Sequence, residues 1–196
     1  MTFTGLRIAG RKPGPYVLGD PLDVFDGAMH LGRLNSVSTS ANGSELKLED
    51  FRTTDLSRLR TWRTARLIVV EVIHFFVEQY PSVSAIGIVL SADIESLEGQ
   101  EGGATRLASA RAQMLQSVGA DDIHVMPMPH PRHAAHFTVS GVWKYNRDNA
   151  QMLADALRIE RAAYAERLAA AAAASAPASA ANPPRSVFSR LLAKDR

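Results

Sequence analysis

The chain of 196 residues contains no cysteine. That excludes disulfides, thiolate nucleophiles and thiolate metal sites together, while leaving the redox compartment open, because cytosolic and exported proteins alike can lack Cys. Long hydrophobic runs are also missing. The longest strongly apolar stretch is 67–70, far short of the roughly 20 residues that a membrane-spanning helix needs. Residues 1–30 lack the continuous apolar centre of a cleavable secretory signal. A soluble cytoplasmic protein is therefore expected, with export by a route that cleaves no signal left open. Charge excess is small: 22 Lys and Arg against 20 Asp and Glu give a formal net charge of +2, which provides no general basic face for nucleic acid. No G-x-S-x-G, Walker A or Rossmann glycine fingerprint occurs, which argues against Ser hydrolases, P-loop NTPases and dinucleotide enzymes.

What is present is ordinary globular composition. Hydrophobic residues make up 46% and charged residues 21%, so most of the chain can fold. The length suits one well-buried domain with appendages. The organising stretch is 62–90. Trp62, Ala65, Ile68, Val69, Val72, Ile73 and Phe76 recur at helical spacing, and Val70, Phe75 and Val77 widen the stripe, which predicts a helix over 62–80 covered on more than one side. The β-branched residues of 66–76 leave a strand as the alternative. Pro81 stops the helix, and 83–90 (VSAIGIVL) reads as a central strand.

The glycines and prolines of 1–26 allow only short strands, with 6–9 and 16–18 as candidates. Asn42-Gly43 between 28–39 and 45–53 is a strong hairpin signal. Asp55 or Ser57 can cap the central helix. After a polar loop over 91–103, an amphipathic helix is expected over 104–118 with Gly119 as its left-handed stop. Strands follow at 123–128 and 137–145. A last helix over 149–174, capped by Asn146 or Asp148, carries a thin apolar face of Met152, Ala156, Ile159, Ala163 and Tyr164. Residues 175–186 have linker composition. In Arg185 to Arg196, Val187, Phe188, Leu191 and Leu192 fall on one side of a short basic helix, so the end of the chain reads either as a peptide that docks on a protein partner or as a tail. The division expected is 1–146 as the α/β domain, 147–174 as the Ala-rich helix and 175–196 as linker and tail.

The order strand, strand, helix, strand, helix, strand, strand resembles the GNAT acyltransferase superfamily over roughly residues 28–145. Three passages carry the resemblance. Leu48-Glu49-Asp50-Phe51 looks like the family's fourth strand, Arg58-Leu59-Arg60-Thr61-Trp62-Arg63 falls where the family has its R-x-x-G-x-G turn, and 110–120 is similar to its helix ending in Gly-Phe. The resemblance implies a mixed central sheet with helices on both faces, here followed by a long C-terminal helix and a flexible tail. It also implies an N-acyltransferase that uses acetyl-CoA or another acyl-CoA. Arg58, Arg60, Thr61, Trp62 and Arg63 would then hold the pyrophosphate at the helix start, where free amides and the dipole favour an anion, and Glu49 would act as base on an amine. The sequence departs from the pattern as well. Thr61 and Arg63 (or Arg63 and Ala65) replace the two glycines of the turn, Leu115 stands where the family has a thiolate-protonating Tyr, and too few residues precede Ala28 for the family's early helices. A non-catalytic binding or regulatory protein is the alternative these departures favour.

Two side-chain clusters complete the reading. Arg52, Arg58, Arg60, Arg63 and Arg66 gather where a cation opposes the helix dipole, so an anionic partner is expected, whether phosphate, an acidic protein face, or the chain's own Asp50 and Asp55. His130, His133 and His136, with His124 nearby, have loose metal-ligand spacing, but the prolines between them and the lack of a helical H-x-x-x-H pattern make exposed loop histidines the expectation, with no metal.

Overall fold

The computed structural model describes residues 6–11, 14–53, 62–91, 103–128 and 136–175. In chain order the elements are β1 (Arg7–Gly10), β2 (Leu22–Asp26), β3 (Met29–Thr39), β4 (Glu45–Thr53), α1 (Trp62–Gln79), β5 (Ala85–Ser91), α2 (Gly103–Ser117), β6 (Ala120–Met128), β7 (His136–Lys144) and α3 (Arg147–Ser175). The strands form one seven-stranded sheet in the order β1-β2-β3-β4-β5-β7-β6. Every neighbour is antiparallel except β4 and β5, which run parallel because α1 carries the chain between them. The mixed α/β class and the GNAT-like order of elements expected from the sequence are the ones observed.

The predicted hairpin joins β3 to β4. Gly43 takes φ 69°, open to glycine at no steric cost, and Asn42 Oδ1 accepts from the Ser44 amide at 3.1 Å and from the Ser40 hydroxyl at 2.7 Å. Side chain and backbone thus close the turn together.

The stretch 62–79 is helix, not strand. Leu67, Val70, Ile73 and Phe76 are fully buried, and Ile68 and Val72 nearly so. These positions wrap well over half of the helix circumference, as a helix needs when it packs against β1 as well as α3. Tyr80 and Val83 close the turn after it through amide bonds to Phe76 O and Tyr80 O, each 2.9 Å. The chain then enters β5, whose Ile86 and Ile88 are buried.

One expectation near the N-terminus is corrected. Residues 16–18 are not a strand; the Tyr16 ring lies edge-on to Phe75 at 5.7 Å and Phe76 at 5.9 Å, and the Tyr80 hydroxyl donates to Tyr16 O at 2.6 Å. Packing onto α1 wins there over strand pairing. The second strand is instead Leu22–Asp26. Its Asp23 is buried, accepting from Arg33 at 2.7 and 3.0 Å and meeting His30 Nε2 at 2.8 Å.

α2 packs on β6 and β7 through Ala108 and Leu115, and ends at Gly119 with φ 87°. The indole of buried Trp143 on β7 donates to the Val118 carbonyl at 3.0 Å, using one of the acceptors that a helix end leaves free. α3 starts where Asn146 Oδ1 accepts the Asn149 amide at 2.8 Å, an N-cap as expected. Its buried face keeps Ala156 and Tyr164 of the one expected and is turned from the rest. Leu153, Ala156, Leu157, Glu160 and Tyr164 are inside, while Met152 and Ile159 are 41% and 51% exposed. The reason is polar: Arg161 grips Glu71 of α1, Arg66 meets Glu160 at 3.2 Å, and the Tyr164 hydroxyl donates to Asp26 at 2.8 Å. Among the described residues no helix is long and apolar enough to cross a membrane.

Candidate functional site

The two parallel strands part company halfway along. β4 and β5 pair from Glu45↔Ala85 to Leu48↔Ile88 and no further. β4 nevertheless continues beside β3 as far as Thr53, and β5 beside β7 as far as Ser91. The sheet therefore opens between 49–53 on one side and 89–91 on the other.

Asp50 marks the divergence on β4. It adopts φ 55°, left-handed backbone that Asp tolerates better than most residues. Between the pairs Leu34↔Phe51 and Ser36↔Glu49, Asn35 of β3 reaches it through its side chain, donating to Asp50 O at 3.3 Å and Oδ2 at 3.0 Å. Arg52 Nε donates to Asp50 Oδ1 at 2.9 Å. Arg52, and after it Asn35, hold the Asp50 carboxyl below its ordinary pKa.

Glu49 stands at the lip of the opening, one residue beyond the last β4–β5 pair. Its Oε1 lies 2.8 Å from Lys47 Nζ, with 35% of the Glu49 side chain exposed and Lys47 more so. Such a wet pair contributes little to stability and separates easily. Any proton that Glu49 takes up here competes with Lys47 for the carboxylate.

The rest of the expected site divides. Arg58, Arg60 and Thr61 lie outside the described residues, as do Asp55 and Ser57, and Trp62 and Arg63 form the first turn of α1. That turn contains no acidic residue, so its amides and dipole face no internal anion from the turn itself. Of the basic cluster, Arg52 is matched to Asp50, and Arg66 to Glu160 at a distance that is Coulombic contact without hydrogen-bond alignment. Leu115 is fully buried, with its Cδ1 3.3 Å from where a Cβ on Gly141 would lie. It is core under β7 and donates no proton. His130 and His133 lie outside the described residues, His136 opens β7, and His124 is exposed on β6. Among the described residues no group of His, Asp or Glu could hold a metal.

Two features of this region were not anticipated from the sequence, the left-handed Asp50 and its partner Asn35, and neither was a groove of about 510 Å³ elsewhere, between α1 and α3, lined by His74, Val77, Leu153, Leu157 and Arg161 among others. An Asp within the polar stretch before Phe51 is a weak signal for irregular backbone. Nothing local in the sequence marks the other two.

No protein-family model matches the chain, and no curated protein matches it. Solved structures do. The ribosomal-protein-S18-alanine N-acetyltransferase from Escherichia coli aligns over 71% of this chain and 93% of its own, at 8% identity and TM-score 0.46. The N-terminal domain of ribosomal-protein-alanine acetyltransferase from Clostridium acetobutylicum aligns over 72% and 92%, at 8% identity and TM-score 0.43. AAC(6')-Ib, in complex with ribostamycin and coenzyme A, aligns over 68% and 67%, at 12% identity and TM-score 0.39. At these values the likeness is one of arrangement, and nothing about substrate or chemistry follows from it.

Proposed function

We propose that the opening between β4 and β5 binds the thioester arm of an acyl-CoA and that the chain transfers the acyl group to an amine. The observation that carries this reading is the end of pairing at Leu48↔Ile88. Beyond it two strand edges face a gap with backbone donors and acceptors to satisfy, and an extended ligand rich in amides fits between them as an added strand would. The start of α1 lies after β4 in the chain and has no acidic residue in its first turn, which suits a pyrophosphate. The sequence has Thr61 and Arg63 where the resembled family has glycine, and a side chain hinders close approach of backbone to phosphate, so weak binding is expected.

Acyl-CoA supplies the thioester whose acyl carbon passes to the amine nitrogen as its C–S bond breaks. Glu49 holds the place for the amine proton, received through a water, once Lys47 has swung away. Leu115 gives the departing sulfur no proton, so solvent must supply it; a thiol of pKa about 8.5 is a tolerable leaving group without a donor.

The burial of Leu115 and the Lys47 contact favour a second reading. In it the opening binds but does not react, and the chain works as a binding or regulatory protein through the basic cluster or through the Arg185 to Arg196 segment. The test has two stages. Calorimetry with acetyl-CoA at millimolar concentration measures binding, and replacing Arg60 and Arg63 together by Ala should weaken it at least tenfold, from about 1.5–3 kcal/mol for charge-assisted contacts. Thiol release with a panel of amines then measures transfer, which Glu49→Gln should slow by about 10²-fold or more. Absence of acyl-CoA binding removes both readings of the opening. Binding without thiol release leaves the second.

A further inference from the structure

The β5 side of the opening carries a cation with no counter-ion among the described residues. Arg111 projects from α2 and its Nη1 donates to the Leu90 carbonyl at 3.5 Å, the outer limit of a hydrogen bond. Leu90 lies two residues beyond Ile88, where β4 no longer pairs with β5. The side chain is half-buried. No acidic side chain among the described residues pairs with it, and burial alone moves its pKa, downward.

This combination is unusual for a structural arginine. A guanidinium taken out of water is normally matched by a carboxylate, because one long contact to a carbonyl does not replace its hydration. The same molecule shows the normal case in Arg161, which forks onto Glu71 with two bonds of 2.7 Å. Among the described residues most of the planar set of donors of Arg111 has no partner, and that fork is suited to a carboxylate taken two-pronged.

We propose that Arg111 is a specificity residue that receives a carboxylate at the far end of the acyl chain, so that the preferred donor is the thioester of a dicarboxylic acid rather than acetyl-CoA. The inference rests on the acyl-CoA reading of the opening. The two charged walls divide the reactants: Glu49 on β4 suits the side from which a cationic amine arrives, and Arg111 lies over the opposite strand, on the acyl side. A short dicarboxylic acyl chain puts its free carboxylate several carbon atoms from the thioester, long enough to reach past the lip while the carbonyl stays near Glu49.

The test uses the full chain, with acetyl-CoA and succinyl-CoA compared by calorimetry in the wild type, Arg111→Lys and Arg111→Met. The wild type should bind succinyl-CoA at least tenfold more tightly than acetyl-CoA. Arg111→Met should erase that preference while leaving acetyl-CoA affinity within about twofold, and Arg111→Lys should retain part of it. A structural arginine behaves differently, so the melting temperature is the companion measurement: removing an unpaired half-buried cation should leave it unchanged or raise it. Equal affinity of the wild type for the two donors overturns the assignment while the acyl-CoA reading stands. So does a preference that survives in Arg111→Met, or a large fall in its melting temperature. Binding of neither donor removes the acyl-CoA reading and the assignment with it.

Discussion

The clearest quantitative consequence of the structure is an asymmetry in the contact that pins α3 to α1. Glu71 sits at the centre of α1 with 3% of its side chain exposed, held by Arg161 Nε and Nη2 at 2.7 Å each and, weakly, by the Leu6 amide at 3.4 Å. Arg161 is 34% exposed, and Glu71 raises its pKa. Replacing Arg161 by Met strands a carboxylate in the interior with one poor donor. Removing one partner of a buried pair costs about 3–5 kcal/mol, and the partial exposure of Arg161 sets the expectation at the lower end, about 3 kcal/mol. Replacing Glu71 by Met is milder, because the freed guanidinium can turn along its stem to water; about 1–2 kcal/mol is expected. The double replacement swaps the pair for apolar contact and should cost less than either single change, about 0–1 kcal/mol. At about 2–4 °C per kcal/mol for a chain of this size, Arg161→Met should lower the melting temperature by roughly 6–12 °C. Urea titration of the four proteins closes the cycle. Equal small costs for the two single variants that simply add in the double would refute the reasoning, since the pair would then be no more than a surface contact.

Other consequences are simpler to check. Ile73→Ala removes a fully buried side chain of α1 and should cost about 2–5 kcal/mol in urea titration without changing the slope. Gly119→Ala forces a side chain into φ 87° and brings its Cβ to 2.7 Å from Asn149 Oδ1, so a loss of about 1–3 kcal/mol is expected; a neutral result would mean that the α2 terminus relaxes freely. Asp23 is held below its ordinary pKa by the hydrogen bond from Arg33, with His30 adding to it. The unfolded chain therefore takes up this proton first as pH falls. The stability Asp23 contributes is present above an ordinary Asp pKa of about 3.9 and is lost as pH drops through the lower folded value. Asp23→Asn should flatten the acid side of the stability profile below about pH 4, and an unchanged profile would show that Asp23 does not set it.

What was legible in the sequence was local. The helix at 62–79, the Asn42-Gly43 turn, the Gly119 stop and the Asn146 cap are short-range patterns that stand in the structure as read, although Ala65 of the expected stripe is exposed and Leu67, outside it, is fully buried. What was not legible depends on partners distant in the chain. Leu-Asp-Val-Phe-Asp at 22–26 does not read as an interior strand until Arg33 and His30, on the next strand, are placed against Asp23. The buried face of α3 was read partly out of phase because apolar residues were counted alone, whereas the helix is seated by Glu160, Arg161 and Tyr164 against Arg66, Glu71 and Asp26. A single Glu in the midst of the apolar 67–77 run was the available hint that α1 had a charged partner. For the candidate site the sequence named Glu49 and the basic cluster and offered Asp50 as one of its partners, which Arg52 takes, yet it could not show that Arg66 meets Glu160.

The opening itself has a physical cause that also lies outside sequence periodicity. β4 spans nine residues and β5 seven, and both are long enough to pair well beyond Leu48↔Ile88. Straightening β4 to do so would require Asp50 to leave its left-handed conformation and give up its contacts with Asn35 and Arg52. Those contacts belong to the β3–β4 hairpin, closed by a tight turn at Gly43, and so form at small sequence separation. The β4–β5 pairing must instead wait for α1 and the chain through 54–61 to be placed, at a larger cost in chain entropy. On loop-closure entropy alone, the local contacts are expected to form ahead of the β4–β5 pairing. The divergence thus coincides with contacts made inside the β3–β4 hairpin, and the gap lies beside β5 where the pairing stops at Leu48↔Ile88.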